Sequence, residues 1–181
     1  ILRYLQGAKD VCLTFKRAGS FDVEGFCDSD YSTDLDKRRS VTGYVFKVGG
    51  NTVSWRSTLQ HVVALSTTEA EYMALSEATK EGLWLREFCD ELGFDSEFFN
   101  LHCDSQSAIC LAKNPVHHDR TKHIARKIHF IRDIIEMGLV KVLKIHTSLN
   151  PADMLTKTLP GSAFEKCLET LGVIALSLIH I

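Results

Sequence analysis

Apolar and polar positions alternate with a period of two in the first third of the chain and recur with a helical period in most of the rest. The alternating runs predict short strands, at 11–15, 21–27, 41–48 and 51–55. Gly49-Gly50 joins the last two runs and predicts a hairpin between them. Later in the chain, two more short strands are predicted, at 100–104 and 139–146.

The helical patterns fall almost entirely after the hairpin. They predict helices at 66–92, 105–113, 121–137, from 150 onward, and at 162–171. Three antiparallel strands followed by helix, strand, helix, strand and helix are typical of an α/β protein. We therefore expect a five-stranded mixed sheet flanked by helices, with three antiparallel strands followed by two parallel ones.

The longest helical pattern begins at Ser66 and ends before Gly93. Ser66 and Glu69 have the spacing of a capping box, in which each side chain accepts a hydrogen bond from the other residue's backbone. Glu71 lies in the middle of the stripe that the helix should bury, whereas Glu69 points almost directly away from it. Glu71 therefore needs a compensating cation, unless it only benefits from the positive end of the helix.

The composition excludes several classes of protein. The 181 residues are 45% hydrophobic and 24% charged, which is typical of a globular domain, and a net charge of −2 does not indicate a strongly basic nucleic-acid binder. No stretch has the apolar length of a membrane span, and no signal peptide is visible. Six cysteines without a CxxC pair favour reduced thiols in an intracellular protein over a disulfide framework.

Three aspartates occupy similar places at the ends of predicted strands or the start of a helix. Asp28 ends one strand, Asp104 ends another, and Asp153 lies in the first turn of the helix after the last strand. Residues at such strand ends converge on one edge of a sheet, where ligands usually bind. Each aspartate also has a structural explanation: a turn at Asp28, a helix cap at Asp104, or a favourable helix dipole at Asp153.

A shared pocket would make the four acidic residues a metal site. Two carboxylates about 4 Å apart repel each other by roughly 4 kcal/mol at an effective dielectric constant near 20. Bound cations would offset this repulsion, and ligation by carboxylate oxygens alone favours Mg²⁺ or Mn²⁺ over zinc. Two such ions about 4 Å apart form a site suited to phosphodiester chemistry.

Six segments resemble the ribonuclease H domain of copia-type LTR retrotransposon Pol polyproteins. They are Phe26-Cys27-Asp28-Ser29-Asp30, Thr42-Gly43-Tyr44-Val45-Phe46, Ser66-Thr67-Thr68-Glu69-Ala70-Glu71-Tyr72-Met73-Ala74-Leu75, Cys103-Asp104-Ser105-Gln106-Ser107-Ala108, Lys122-His123-Ile124 with His129-Phe130-Ile131-Arg132, and Asn150-Pro151-Ala152-Asp153-Met154-Leu155-Thr156-Lys157. The resemblance extends over about 25–173 in unbroken order. It implies a ribonuclease H-like fold and two-metal hydrolysis of the RNA strand of an RNA/DNA hybrid.

The resemblance also implies roles for particular residues. It makes four acids the ligands of two Mg²⁺ ions, with Mn²⁺ as a substitute, namely Asp28, Glu71, Asp104 and Asp153. His146 corresponds to a family histidine that assists proton transfer or product release, although it could instead simply end its strand. Asp30 shares the strand parity of Asp28 and is the main rival for the first metal ligand.

The same resemblance implies partners and a domain division. Residues 1–20 resemble the segment that follows a reverse transcriptase, 21–173 form the ribonuclease H domain, and 174–181 are an apolar tail without an interpretation. The expected partners are an RNA/DNA hybrid and the reverse transcriptase of the same polyprotein, with no membrane. The expected location is the cytoplasm, within virus-like particles.

A basic cluster at the start of the predicted helix 121–137 provides a candidate contact for a phosphate backbone. Its members are Arg120, Lys122, Arg126 and Lys127. The alternative is an ordinary solvated helix face. Relatives often carry an acidic residue after the Lys-His-Ile triplet, where this chain has Ala125, which weakens the assignment of this helix.

Three other functions are compatible with parts of the sequence. The chain could be a catalytically decayed module that only positions nucleic acid or polymerase, although all four acidic positions are filled. A transposase or integrase relative would share the fold but use three carboxylates to join DNA strands. A zinc-binding interaction domain would use histidines that lack the usual ligand spacing, namely His117, His118, His123 and His129.

Overall fold

A five-stranded mixed sheet lies at the centre of the protein. The computed structural model describes residues 2–34, 36–94, 96–114 and 124–175. The helices are α1 (Leu2–Gly7), α2 (Thr67–Glu91), α3 (Gln106–Lys113), α4 (Ala125–Glu136) and α5 (Gly161–Thr170). The strands are β1 (Val11–Leu13), β2 (Val23–Asp30), β3 (Val41–Val48), β4 (Asn51–Leu59), β5 (Phe99–Cys103), β6 (Val140–Lys144) and β7 (Val173–Ala175).

The order of the strands in the central sheet is β4-β3-β2-β5-β6. β2, β3 and β4 pair antiparallel, and β5 and β6 extend the sheet in parallel from β2. Gly49 and Gly50 both have positive φ and form the predicted hairpin turn between β3 and β4. The predicted three antiparallel and two parallel strands are therefore confirmed.

Helix α2 packs on one face of the sheet. Its N-cap is Ser66, as the sequence predicts. Ser66 Oγ accepts a hydrogen bond from the backbone N–H of Glu69, at 3.2 Å. The second half of the capping box is displaced by one residue, because Glu69 Oε2 accepts from the N–H of Leu65, at 2.6 Å, and not from Ser66. Gly93, with φ +85°, ends the helix.

Each face of the sheet has its own core. The larger core lies under α2, α3 and α4 and includes Cys27, Phe46, Leu75, Leu101 and Ile131. The smaller core lies on the other face and consists of Phe26, Val45, Ala152 and Leu171. Because adjacent residues of β2 point to opposite faces, Cys27 belongs to the larger core and its neighbours belong to the other side.

The ends of the described chain meet in a second, two-stranded sheet. β1 pairs antiparallel with β7, with Val11 opposite Ala175 and Leu13 opposite Val173. Two residues of the tail that the sequence leaves uninterpreted, Ile174 and Ala175, are therefore part of a strand. Residues 176–181 lie outside the described part of the chain.

Two helices differ in detail from the predictions. The helix expected from position 150 is a short 3-10 helix, Pro151–Leu155, capped by Asn150. The fourth helix is observed from Ala125 onward, since residues 115–123 lie outside the described ranges. In the described ranges, no helix combines the length and the apolarity that crossing a bilayer requires.

Candidate metal centre

The register of two parallel strands brings Asp28 and Asp104 together. Cys27 of β2 lies opposite Cys103 of β5, so the next residue of each strand faces the same end of the sheet. Asp28 lies in β2 and is 2% exposed. Asp104 directly follows β5, before Ser105, whose Oγ caps α3 by accepting from the N–H of Ala108. Ser105 therefore takes the capping role that was the structural alternative for Asp104.

Asp153 approaches the same point from the 3-10 helix. Asn150 holds this helix in place: its Oδ1 accepts from the N–H of Ala152 and its Nδ2 donates to the carbonyl oxygen of Cys27, at 3.0 Å. Gly43, opposite Asp28 on β3, leaves room for the helix, because a Cβ there would lie 2.9 Å from Leu155 Cβ. Asp153 is consequently buried beside Asp28 at this end of the sheet.

The carboxylates form two overlapping groups that share Asp104. One oxygen each from Asp28, Asp104 and Asp153 lie within 4.8 Å of one another. One oxygen each from Glu71 and Asp104, together with Cys103 Sγ, form a second group within the same limit. The structure thus brings all four sequence-predicted acids to one end of the sheet.

Burial and mutual repulsion raise the pKa values of two of these acids. Burial, together with the nearby charges of Asp153 and Asp104, raises the pKa of Asp28 to about 7, even though Thr156 and Lys157 act in the opposite direction. Burial raises the pKa of Glu71 to about 9, with further contributions from Asp28, Cys103 and Asp104. Without a cation, the protein therefore supplies too little positive charge to keep Asp28 and Glu71 fully ionised near neutral pH.

Two buried carboxylate oxygens also lack a hydrogen-bond partner. They are Glu71 Oε2 and Asp153 Oδ1. A buried carboxylate oxygen without a donor is costly unless a cation binds it. The unpartnered oxygens, the short separations and the raised pKa values fit a divalent cation with oxygen ligands.

Two residues that the sequence analysis assigned no role contact these carboxylates. Thr156 Oγ1 donates a hydrogen bond to Asp28 Oδ2. Lys157 Nζ lies 3.1 Å from Asp153 Oδ2 and 3.9 Å from Asp28 Oδ2. Burial alone would lower the pKa of Lys157, but Asp28 and Asp153 raise it above its ordinary value. The spacing of four residues between Asp153 and Lys157 was a signal that could have identified this contact.

Glu69 differs from its predicted position. It is 3% exposed although the helical pattern turns it away from the buried stripe, because its carboxylate folds back over the helix start and accepts from Leu65. Glu71, in contrast, lies within 4.8 Å of Asp104. The preference for Glu71 over Glu69 as the residue near the aspartates thus agrees with the geometry.

The two remaining candidates lie outside the described groups of potential metal ligands. Asp30 has the strand parity of Asp28, as predicted, but only Asp28 lies within 4.8 Å of both Asp104 and Asp153. His146 is exposed at the end of the last sheet strand and caps a turn, with its Nδ1 accepting from the N–H of Ser148, at 3.2 Å. This capping contact is a structural role for His146, and it differs from the earlier alternative that His146 simply ends its strand.

The predicted basic cluster is described only in part. Arg120 and Lys122 lie outside the described residues, as do three of the four histidines of the zinc alternative, His117, His118 and His123. Arg126 is exposed on the first turn of α4. Lys127 is partly buried and its Nζ lies 2.6 Å from Glu77 Oε1, so its charge is shared with an acid of α2.

Comparison with solved structures identifies the class of fold. LC11-RNase H1, solved in complex with an RNA/DNA hybrid, superposes with a TM-score of 0.55 and 21% identity, over 81% of this chain and 99% of that one. RNase H1 from the archaeon Halobacterium salinarum gives a TM-score of 0.53 and 19% identity, over 75% of this chain and 94% of that one. The fold is therefore ribonuclease H-like.

Comparison with curated sequences finds similar segments in retrotransposon Pol polyproteins. The chain is 50% identical over 174 residues to the retrovirus-related Pol polyprotein from transposon TNT 1-94 of Nicotiana tabacum, and 36% identical over 175 residues to that of transposon RE2 of Arabidopsis thaliana. Each match covers 96% of this chain, but only 13% and 12% of the respective relatives. The chain matches the copia-type Pol polyproteins in sequence and the RNase H1 enzymes in structure. No family model matches it.

Proposed function

We propose that this domain is a ribonuclease H that hydrolyses the RNA strand of RNA/DNA hybrids during reverse transcription of a retrotransposon. The observation that carries the proposal is the presence of two neighbouring sets of potential metal ligands, which have Asp104 in common. Such an arrangement has the donor set for two neighbouring divalent ions, which is the arrangement suited to phosphodiester hydrolysis. The similarity to retrotransposon Pol polyproteins supports the same substrate.

The proposed ligands of Mg²⁺, or of Mn²⁺ in its place, are Asp28, Glu71, Asp104 and Asp153. When bound, Mg²⁺ would lower the pKa of a bound water molecule and stabilise negative charge on the leaving oxygen. Asp104 belongs to both sets of potential ligands, so its carboxylate would be available to an ion held by either set. Water is the proposed nucleophile, and the products carry 3′-hydroxyl and 5′-phosphate ends.

The surrounding side chains have supporting roles in this proposal. Thr156 orients the Asp28 carboxylate by donating to its Oδ2. Asn150 connects the 3-10 helix that carries Asp153 to the carbonyl of Cys27, next to Asp28. His146, whose Nδ1 accepts from the backbone N–H of Ser148, has its Nε2 free of that contact and is the proposed group for proton transfer or product release.

The similarity to retrotransposon Pol polyproteins and to RNase H1 structures supports the proposed substrate and partners. Selectivity for a hybrid would come from contacts with 2′-hydroxyl groups and from groove shape rather than from base sequence. Arg120, Lys122, Arg126 and Lys127 are the proposed contacts to the phosphate backbone. Residues 1–20 would connect residues 21–173 to the reverse transcriptase of the same polyprotein, and both would act within cytoplasmic virus-like particles.

The direct test is cleavage of a labelled RNA/DNA hybrid with and without Mg²⁺. We expect the chain to cut the RNA strand only when Mg²⁺ is present, and Asp104→Asn to lower the rate by roughly 1,000-fold, equivalent to about 4 kcal/mol of activation free energy. Equal activity of the two proteins would exclude the proposal. Binding of hybrid without cleavage would favour the decayed module, and processing of a DNA duplex instead would favour a transposase relative.

A further inference from the structure

A lysine side chain lies among the carboxylates in the position of a counterion. Lys157 Nζ is 3.1 Å from Asp153 Oδ2 and 3.9 Å from Asp28 Oδ2, so that one ammonium group contacts two aspartates. The two aspartate side chains are only 8% and 2% exposed, whereas the lysine side chain is 37% exposed. The ammonium group therefore approaches a buried acidic pair from the solvent side.

The backbone of the 3-10 helix fixes this position. The backbone N–H of Lys157 donates to the carbonyl oxygen of Asp153, at 3.2 Å, which closes one helical turn between the two residues. The side chains of the pair consequently project from the same face of the turn. The neighbouring Thr156 is buried and bound to Asp28, so the turn is held against the sheet.

The ammonium group satisfies the carboxylates incompletely. Asp153 Oδ1 is buried without a hydrogen-bond partner, although Oδ2 of the same side chain is paired with Lys157. A divalent ion carries twice the charge and takes six or more oxygen ligands, so it can bind oxygens that one ammonium group leaves unsatisfied. The partial exposure of Lys157 gives its long side chain a way out into solvent.

We propose that Lys157 is an internal counterion of Asp28 and Asp153, which a divalent cation must displace in order to bind. This inference rests on the proposed function, because it takes the acidic group to be a cation site. Lys157 then holds the aspartates in place without metal and lowers the affinity for metal by competing for the same oxygens. A residue with only a structural role would stabilise the protein without opposing metal binding.

The test is a titration of the metal-free chain with Mn²⁺ by isothermal calorimetry, without nucleic acid. We expect two neutral variants, Lys157→Met and Lys157→Gln, to bind Mn²⁺ about tenfold more tightly than the wild type, equivalent to about 1.4 kcal/mol. Lys157→Arg keeps the charge and should bind as the wild type does. Lys166→Met removes an exposed lysine of α5 and serves as the control.

A second measurement separates competition from a change in folding. In EDTA, the neutral variants should melt at a lower temperature than the wild type, because two buried aspartates lose their counterion. Saturating Mn²⁺ should remove that difference. Wild-type binding with no gain in affinity in either neutral variant would overturn the inference alone. Absence of Mn²⁺ binding in every protein would overturn both the inference and the proposed function.

Discussion

The first turns of α2 carry two glutamates whose carboxylates are largely buried. One carboxylate accepts a hydrogen bond from the backbone, and the other has an oxygen without a donor and lies beside other acids. Glu69 is 3% exposed, and its carboxylate accepts a hydrogen bond from the backbone of Leu65 at the helix start. Glu71 has a buried Oε2 without a partner, and burial among other acids raises its pKa to about 9. A buried carboxylate with a local donor stabilises the fold, whereas one without a donor beside other acids indicates a site for a cation.

The two glutamates should differ most in hybrid cleavage when each is changed to glutamine. Glu71→Gln removes a ligand, and we expect it to lower hybrid cleavage by roughly 100-fold, equivalent to about 3 kcal/mol. Glu69→Gln keeps an oxygen that can accept from Leu65, so cleavage should stay within about twofold of the wild type. Steady-state cleavage rates in Mg²⁺ measure both. Equal losses in the two variants would contradict the contrast between these residues.

The Glu71→Gln variant also separates the effect on metal binding from the effect on folding. At neutral pH, the metal-free Glu71 carboxyl holds its proton, because its pKa is about 9. Glutamine imitates that neutral form without taking up a proton on folding, so Glu71→Gln should leave the melting temperature in EDTA unchanged or raise it. It should also reduce the increase that Mn²⁺ produces. A large loss of stability in EDTA would instead assign Glu71 a structural role like that of Glu69.

A methyl group at Gly43 tests how closely the 3-10 helix must pack. A Cβ at this position would lie 2.7 Å from Thr156 Cγ2 and 2.9 Å from Leu155 Cβ, so Gly43→Ala should displace the turn that carries Asp153. We expect a loss of about 1–3 kcal/mol in the free energy of unfolding by urea, together with weaker Mn²⁺ binding. Gly19→Ala is the control, since a Cβ there meets nothing within 4 Å.

The raised pKa of Asp28 predicts how stability depends on pH in the metal-free protein. Its folded pKa is about 7, against an ordinary value of 3.8, so the folded state holds a proton that the unfolded state has lost between these values. The stabilisation is complete below pH 3.8 and is lost as the pH rises through 7. Urea unfolding in EDTA from pH 5 to 8 should show this decline, and Asp28→Asn should make it less steep. The decline that remains comes from Glu71, whose pKa is about 9. A rise in stability over the same range would contradict the burial of Asp28 among acids.

The smallest expected effect concerns two basic neighbours on α4. Lys127 is paired with Glu77 on α2, whereas Arg126 is exposed. Arg126→Ala should reduce the slope of hybrid affinity against salt concentration by about one, as expected for one phosphate contact. Lys127→Ala should change this slope less, because its charge is already shared with a carboxylate. Measuring the affinity in EDTA at several salt concentrations compares the two variants.

The sequence predicted the features that depend on local pattern. The order of strands and helices, the hairpin at Gly49-Gly50 and the start of α2 at Ser66 all follow from alternation, helical period and capping residues. Asp28 and Asp104 were also predictable as neighbours, because both lie near the ends of adjacent parallel strands. The strand of Asp28 continues two residues further than predicted, to Asp30. These predictions required only the position of a residue within its own element.

The features that the sequence did not reveal depend on side chains from distant segments. The burial of Glu69 depends on its carboxylate folding back to Leu65, which a helical projection does not include. The hydrogen bond from Asn150 to the carbonyl of Cys27 joins residues 123 positions apart. Lys157 was within reach of the sequence through its spacing from Asp153, but its contact with Asp28 requires the packing of the 3-10 helix on β3.

Asp28, Glu71, Asp104 and Asp153 are proposed to bind divalent ions together. The most direct test is a crystal structure of the chain soaked with Mn²⁺, in which anomalous scattering locates the ions. We expect two Mn²⁺ ions about 4 Å apart, held by these four carboxylates. An absence of anomalous density at these carboxylates, or ions bound without Glu71, would contradict the account.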